Sequence, residues 1–231
     1  MNTKRNWSDV WGIVTLIAVM VGLYFAFVYA PTEATMGSIQ RIFYFHMGSN
    51  AASLTSILIA AIAAALFLRS GNLKYDRVSY ACMELGVLFG AISLATGMIW
   101  ARPVWGTWWT WEARLTSFLI LWLVYVAYMM LRLSSANDPT IARIAAVFTF
   151  VGVIDVPFIM IAPRLWRGLH PVLFGTNAGG EFTFNITPEM LTTLFVCIVA
   201  VMCLYIWLLV QRTHLGSLQA QVAELREQYG E

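Results

Sequence analysis

Six continuous apolar stretches divide the chain, and each is about as long as a helix must be to cross a bilayer. A helix that spans ~30 Å of hydrocarbon needs roughly 20 apolar residues. Lipid offers no partner to free backbone groups, so spanning segments are helices or closed barrels, and these runs lack the alternation of barrel strands. The sequence therefore predicts an all-α, polytopic membrane protein with six transmembrane helices. The predicted spans are 11–30, 47–68, 82–100, 115–131, 141–161 and 190–210.

The composition excludes several other classes of protein. Apolar residues make up 60% of the chain and charged residues only 11%, which is too little charge to cover a soluble domain of 231 residues. The net charge of +2 provides no basic field, so we expect no nucleic acid partner. Cys82, Cys197 and Cys203 lie in apolar runs without a C-x-x-C pair. We therefore expect no disulfide framework, no zinc site and no covalently attached heme.

The distribution of lysine and arginine predicts the orientation, because these residues are enriched in cytoplasmic loops. With the N-terminus inside, nine of the fourteen basic residues lie on the cytoplasmic side, which favours an N-in, C-in topology. A signal peptide ending at Ala30 is the alternative to a first span, but the apolar run is longer than a signal h-region. The basic residues on the inside are Lys4, Arg5, Arg69, Lys74, Arg77, Arg132, Arg143, Arg212 and Arg226, and those outside are Arg41, Arg102, Arg114, Arg164 and Arg167.

Two regions follow from this division: a transmembrane domain, 1–210, and a cytoplasmic tail, 211–231. Apolar residues in the tail recur every three or four positions, which predicts a short cytoplasmic helix with an apolar seam. The tail either rests on the membrane or a partner, or self-associates through this seam. The seam residues are Leu215, Leu218, Val222, Leu225 and Tyr229.

Half of the ten tryptophans fall within segment 100–117, in the outer connection between the third and fourth spans. An interfacial aromatic belt is one interpretation, although belts usually place only one or two tryptophans at a helix end. Helical spacing would align Trp105, Trp108 and Trp109 with Glu112 on one face. The pattern thus predicts a tryptophan-rich interfacial helix on the outer face, with an apolar shelf that suits a large flat ligand.

Two of the three histidines are predicted at the same outer face. His46 lies where the first outer connection enters the second span, and His170 lies in the last outer connection, whereas His214 belongs to the tail. A single histidine is usually structural or exposed. Two on one face, each following aromatic residues and an arginine, favour a shared ligand.

Heme fits these residues by its chemistry. Its iron accepts imidazole nitrogens, its ring stacks on indoles and its propionates attract arginines. Arg41, Arg102, Arg114 and Arg167 are the candidates for the propionates, and the sequence does not choose among them. Copper is the competing metal, but it would require clustered methionines, whereas the eleven methionines are spread through the spans.

At this point the motifs resemble a known family. The string from Trp105 to Ser117 is similar to the tryptophan-rich WWD signature of heme-handling membrane proteins. Its Ala-Arg-Leu-Thr-Ser ending resembles the CcmC type of cytochrome c maturation. Two further motifs resemble the same type: Arg-Ile-x-Tyr-x-His, which ends at His46, and Trp-x-x-Leu-His, which ends at His170. The resemblance covers essentially the whole chain.

The resemblance implies roles for the site residues. His46 and His170 would be the axial ligands of heme b, which is carried as cargo. The platform would consist of Trp105, Trp108, Trp109, Trp111 and Glu112. Arg41, Arg114 and Arg167 are also expected to bind the heme.

The resemblance also implies a function and partners. The protein would present heme at the extracytoplasmic face of a bacterial inner membrane to a CcmE-type heme chaperone. It would work beside CcmA-type and CcmB-type ABC transporter subunits and a small CcmD-type membrane subunit. It is expected to handle heme rather than to act as an enzyme, because no nucleophile–base pair is visible on the outer face.

Other functions remain open. A heme ligase would attach heme directly to apocytochrome, and a structural subunit of a transporter complex would use the tryptophans only as a belt. A cytochrome b-like electron carrier is not expected, because it would need histidine pairs buried within its helices and this sequence has none. Asp155, two residues before Pro157 in the fifth span, either pairs with a neighbouring helix or orients a functional group.

Overall fold

The computed structural model describes residues 3–134, 138–166, 174–176, 182–184 and 186–230, and these are nearly all helical. Six helices are long and apolar enough to cross a membrane, as predicted. They are α1 (Thr3–Tyr24), α2 (Ile42–Ser70), α3 (Leu73–Trp105), α4 (Ala113–Ser134), α5 (Pro139–Leu165) and α6 (Pro188–Tyr229).

Short elements join or extend these helices. A π-helical turn, Phe25–Tyr29, follows α1, and a 3-10 turn, Ser38–Arg41, precedes α2. The connection between α5 and α6 contains two strands, β1 (Phe174–Thr176) and β2 (Phe182–Phe184), paired antiparallel. The prediction of an all-α chain overlooked this hairpin because three-residue strands are too short to show a periodic pattern.

Neighbouring helices run antiparallel, which gives the bundle two distinct ends. At the tryptophan end, α1, α3 and α5 finish and α2, α4 and α6 begin. At the terminal end, Ser8 at the start of α1 accepts a hydrogen bond from the Gln211 side chain of α6. The N-terminal part of the chain and the tail therefore leave the bundle on the same side.

The α2–α3 hairpin is the centre of the bundle, because these two helices form its most extensive interface. A two-residue turn joins them: Gly71 ends α2 with φ +68°, and the Asn72 side chain caps α3 by accepting from the Lys74 backbone N–H at 2.9 Å. Along the interface, Ser53 donates to the Gly86 carbonyl at 3.0 Å and Ser79 donates to the Ala60 carbonyl at 3.1 Å. Small side chains let the helices approach this closely, as is common within membranes.

Small residues also set the packing of α6 against α1 and α2. A Cβ atom on Gly22 would lie 3.0 Å from the Cβ of Ala200, and one on Gly48 would lie 2.8 Å from Val201. The second distance is too short for any real Cβ contact, so α6 sits directly against the backbone of α2 at this point. Glycines and other small residues thus allow α2 to pack closely between α3 and α6.

Charged residues tie three helices together at the terminal end. Arg132 of α4 and Asp76 of α3 form a buried ion pair at 2.8 Å, with side chains only 9% and 10% exposed. A second and more exposed pair joins Arg212 of α6 to Glu84 of α3. The ring of Tyr80 lies between the two guanidinium groups, 5.4 Å from that of Arg132 and 5.2 Å from that of Arg212.

The tail is helical, as predicted, but it is not a separate short helix. α6 continues without interruption from Pro188 to Tyr229, so its 42 residues extend about 63 Å. Hydropathy marks where the apolar stretch ends, but the helix continues through Gly216 because many of the following residues, such as glutamine, leucine, alanine and glutamate, favour helix. The predicted seam residues, Leu215, Leu218, Val222, Leu225 and Tyr229, are all exposed.

The buried ion pair generates a stability prediction. Arg132→Gln leaves the Asp76 carboxylate buried without its cation, which should destabilise the protein by about 3 kcal/mol. The double variant Asp76→Asn/Arg132→Gln should recover much of this loss, since no uncompensated charge remains. Thermal unfolding in detergent measures both effects.

Arg212→Gln is the matched control, because it removes the same group from the more exposed pair. It should cost about 1 kcal/mol or less. An equal loss of stability for Arg132→Gln and Arg212→Gln would contradict the special role of the buried pair.

Candidate functional site

The tryptophan-rich segment is not the interfacial helix that the spacing predicted. α3 continues to Trp105 and ends at Gly106, which has φ +76° and donates its N–H to the Arg102 carbonyl at 3.0 Å. Residues 106–112 are irregular, and α4 begins at Ala113. The prediction was wrong because it counted helical spacing across a glycine whose left-handed conformation terminates the helix.

Polar contacts hold this irregular segment in place. The Arg102 side chain donates to the Gly106 carbonyl. The Thr107 hydroxyl donates to the Trp109 carbonyl at 3.0 Å. Gly106 and Thr107 thus fix the backbone conformation of the connection between α3 and α4.

The tryptophans of this segment fall into an exposed and a partly buried set. Trp108 and Trp111 are 57% and 77% exposed. Trp109 is partly buried and meets the Trp111 ring edge-on, with centroids 5.9 Å apart. Trp105, at the end of α3, meets Trp100 edge-on at 5.1 Å. The segment therefore exposes the rings of Trp108 and Trp111, whereas those of Trp105 and Trp109 are partly buried.

His46 lies in the second turn of α2, against α3. Its Nδ1 is 3.0 Å from the Ser93 carbonyl, with the Thr96 hydroxyl at 3.3 Å. A carbonyl can only accept, so Nδ1 carries the hydrogen and Nε2 has the free electron pair. That Nε2 is 3.0 Å from Nδ2 of Asn50, which donates to it. Both ring nitrogens of His46 therefore have partners.

Gly97 provides the space in which the imidazole sits. A Cβ atom at this position would lie 3.1 Å from Cε1 of His46, closer than most real Cβ contacts. Trp100 follows Gly97 by three residues on α3. His46 therefore lies about one helical turn along α3 from Trp100, whose ring packs against that of Trp105.

Arg114 and Arg41, two of the candidates for a propionate, differ in their surroundings. Arg114 is partly buried at the start of α4 and interacts electrostatically with His46 and with Glu112. Arg41 is directed elsewhere: it donates to the Phe27 carbonyl at 2.6 Å and its guanidinium lies 6.0 Å from the Phe27 ring. Of these two arginines, Arg114 is therefore the one that adds positive charge to the surroundings of His46.

Several buried polar atoms at this end have no hydrogen-bond partner among the residues that the structure describes. They include the indole nitrogens of Trp100 and Trp109, the hydroxyl oxygens of Thr110 and Thr116, and side-chain atoms of Gln40, Arg41 and Tyr44. Buried polar groups are usually paired, so unpaired ones need an explanation such as a ligand. Four of these atoms lie within residues 100–116, where they could pair with a polar group of a ligand.

Two of the predicted site residues, His170 and Arg167, lie outside the described residues. Trp166, which precedes them, is exposed, and its ring is 5.6 Å from that of Phe158. Within the described residues, no three His, Cys, Asp or Glu side chains are grouped so that they could hold a metal ion.

Asp155 pairs across helices, as one of the two interpretations predicted. The hydroxyl of Ser117 on α4 donates to its Oδ1, while its buried Oδ2 has no partner in the part of the chain that the structure describes. Ser117 is the last residue of the Ala-Arg-Leu-Thr-Ser string, so this contact anchors the tryptophan-rich segment to α5.

The residues that hold His46 were not among the predicted site residues. Asn50 follows it by four positions, and side chains four apart on a helix are neighbours. That spacing was sufficient to suggest the contact. Ser93 and Thr96 carried no such signal, because their approach depends on the pairing of α2 with α3.

Comparison with known proteins gives consistent results. The family model described as CcmC, heme exporter protein C, matches residues 1–228. A heme exporter protein C from Haemophilus influenzae is 31% identical over 216 residues, which cover 92% of this chain and 85% of that protein. The protein of the same name from Bradyrhizobium diazoefficiens is 31% identical over 212 residues, with coverage of 92% and 77%. That from Escherichia coli K12 is 32% identical over 167 residues, with coverage of 71% and 68%.

Proposed function

Because the chain belongs to the CcmC family of heme exporter protein C, we propose that it binds heme at the extracytoplasmic membrane face and passes it to a heme chaperone. Membership implies a role in heme export for cytochrome c maturation, within a Ccm system that has other components. The six apolar helices make it a multi-pass membrane protein. The specific acceptor, the heme ligands and the orientation are our proposals.

The observation that carries the proposal is the environment of His46. Histidines that bind metals commonly donate their second N–H to a carbonyl, which fixes the ring and leaves the other nitrogen to the metal. The Nδ1 contact of His46 with the Ser93 carbonyl is of this kind. The charge of Arg114 acts on the same imidazole. An iron ligand beside an arginine suits a heme, whose propionates are charged.

The surroundings support an amphipathic flat ligand. The exposed rings of Trp108 and Trp111 offer apolar faces, and the unpaired indole and hydroxyl groups of segment 100–116 offer hydrogen bonds. Heme b has both an apolar ring and a polar edge. We propose that Trp105, Trp108, Trp109, Trp111 and Glu112 form the platform for it.

The second axial ligand is proposed from the family motif alone. His170, in the Trp-x-x-Leu-His sequence, would bind the iron opposite His46, and Arg167 would meet a propionate. Two imidazoles leave no open position on the iron, which suits a carrier that must avoid oxygen chemistry. Release would then require that one ligand be exchanged.

The partners and topology are proposed together. A CcmE-type chaperone would receive heme at the tryptophan end, on the extracytoplasmic side of a bacterial inner membrane. CcmA-type and CcmB-type transporter subunits and a small CcmD-type subunit would complete the complex. The tail, which extends α6 and exposes the apolar seam, would dock on one of these partners on the cytoplasmic side.

Replacement of the histidines tests the ligand assignment. His46→Ala or His170→Ala should remove a strong-field ligand, so the optical spectrum of the purified protein should lose its six-coordinate low-spin features and its heme content should fall. His214→Ala, in the tail, is the matched control and should leave both unchanged. Unaltered spectra in both site variants would remove the assignment.

Replacement of the exposed and partly buried indoles tests the platform. Trp108→Ala/Trp109→Ala should weaken heme binding and chaperone loading about tenfold, since each ring contact contributes roughly 0.5–1.5 kcal/mol beyond its buried area. Transfer of heme to a soluble chaperone domain can be followed by absorbance. Trp11→Ala, at the terminal end, is the control, and normal loading by the double variant would favour an aromatic belt.

Truncation tests the tail. A chain that ends after His214 should recover less of the CcmA-type and CcmB-type subunits on affinity purification, because it lacks the exposed apolar seam. Its heme spectrum should be unchanged, since the tail is at the opposite end from His46. Full recovery of the subunits would show that the tail is not a docking element.

A further inference from the structure

The contact between Asn50 and His46 occupies the nitrogen that iron would need. Nδ1 of His46 is already bonded to the Ser93 carbonyl, so Nε2 is the ring atom left with an electron pair. The Asn50 amide donates to that atom at 3.0 Å. A metal cannot bind Nε2 while this hydrogen bond is intact.

The two partners of the imidazole differ in how easily they can give way. Ser93 contributes a backbone carbonyl within α3, which moves only with the helix. Asn50 contributes a side chain on α2, one turn from His46, whose amide can rotate away. Gly97 adjoins Cε1 and limits how far the ring itself can shift. The replaceable partner of His46 is therefore Asn50.

We propose that Asn50 is a placeholder for iron on His46: its amide caps Nε2 when heme is absent, leaves it when heme binds and returns when heme departs. The inference rests on the proposed function, since it takes His46 as a heme ligand. It adds a residue that lowers the cost of release, because an uncapped Nε2 would remain buried without a partner.

The direction of the effect follows from which state the contact stabilises. Asn50 stabilises only the heme-free protein, because iron and the amide compete for one electron pair. Removing the amide should therefore favour the heme-bound state. The expected change is on the order of fivefold in Kd, the factor that one neutral hydrogen bond contributes.

The experiment measures heme affinity by competition with a soluble apo-heme protein. Asn50→Leu should lower the Kd for heme about fivefold, and Asn50→Ala should act in the same direction if leucine disturbs the fold. Thr55→Leu is the matched control, since it places leucine at another half-buried polar position of α2 that is more than two turns from His46. It should leave the Kd unchanged.

A second measurement reports on the placeholder directly. In heme-free protein labelled with ¹⁵N-histidine, the Nε2 resonance of His46 should shift in Asn50→Leu, because the nitrogen loses its donor. The Nδ1 resonance should not shift, since Ser93 is unchanged. A purely structural role for Asn50 would move neither resonance selectively.

Variants in the His46→Ala background separate this inference from the proposed function. There, Asn50→Leu should have no effect on heme affinity. If His46→Ala alone leaves the heme spectrum unchanged, the ligand assignment fails and the inference with it. If His46→Ala alters the spectrum but Asn50→Leu leaves the Kd unchanged or raises it, His46 remains a ligand and the placeholder is refuted.

Discussion

Lipid offers no hydrogen bonds to polar groups, so backbone groups inside a bilayer must be paired within the protein, and this requirement shapes the bundle. Along the α2–α3 interface, serine hydroxyls donate to carbonyls of the facing helix at Ser53 and Ser79. The same interface continues to His46, whose Nδ1 meets the Ser93 carbonyl. The groove that holds the imidazole is thus the last part of a continuous pattern of small residues and helix-to-helix hydrogen bonds.

Because His46 lies within this helix interface, its position is well defined although irregular connections adjoin it. His46 and Arg114 both lie in the first two turns of long helices, which hold them rigidly. The tryptophans lie between helices, on a backbone that Gly106 turns out of α3 and that Thr107 fixes. A ligand would therefore meet rigid groups at its metal and more adaptable aromatic surfaces around its ring.

The sequence predicted what depends on hydropathy and missed what depends on pairing. The six spans were found because each apolar run stands alone, and the position of His46 near the start of α2 followed from them. The helical shelf failed at Gly106, whose φ of +76° cannot be read from spacing. The extent of α6 beyond residue 210 was missed because polarity does not end a helix. Asn50 was accessible through its spacing of four from His46, but Ser93 required knowledge of which helices meet.

The contrast between the two ends of the bundle bears on function. At the terminal end, opposite charges meet across α3, α4 and α6, in Asp76 with Arg132 and Glu84 with Arg212. Both ends leave some buried polar atoms without a partner among the described residues: Nε of Arg132 and Nε1 of Trp207 toward the terminal end, and the indole and hydroxyl groups of segment 100–116 at the tryptophan end. Each such group costs about 1–3 kcal/mol when left unpaired. Those of segment 100–116 lie in the proposed heme platform, so heme binding would recover this cost there by giving them partners.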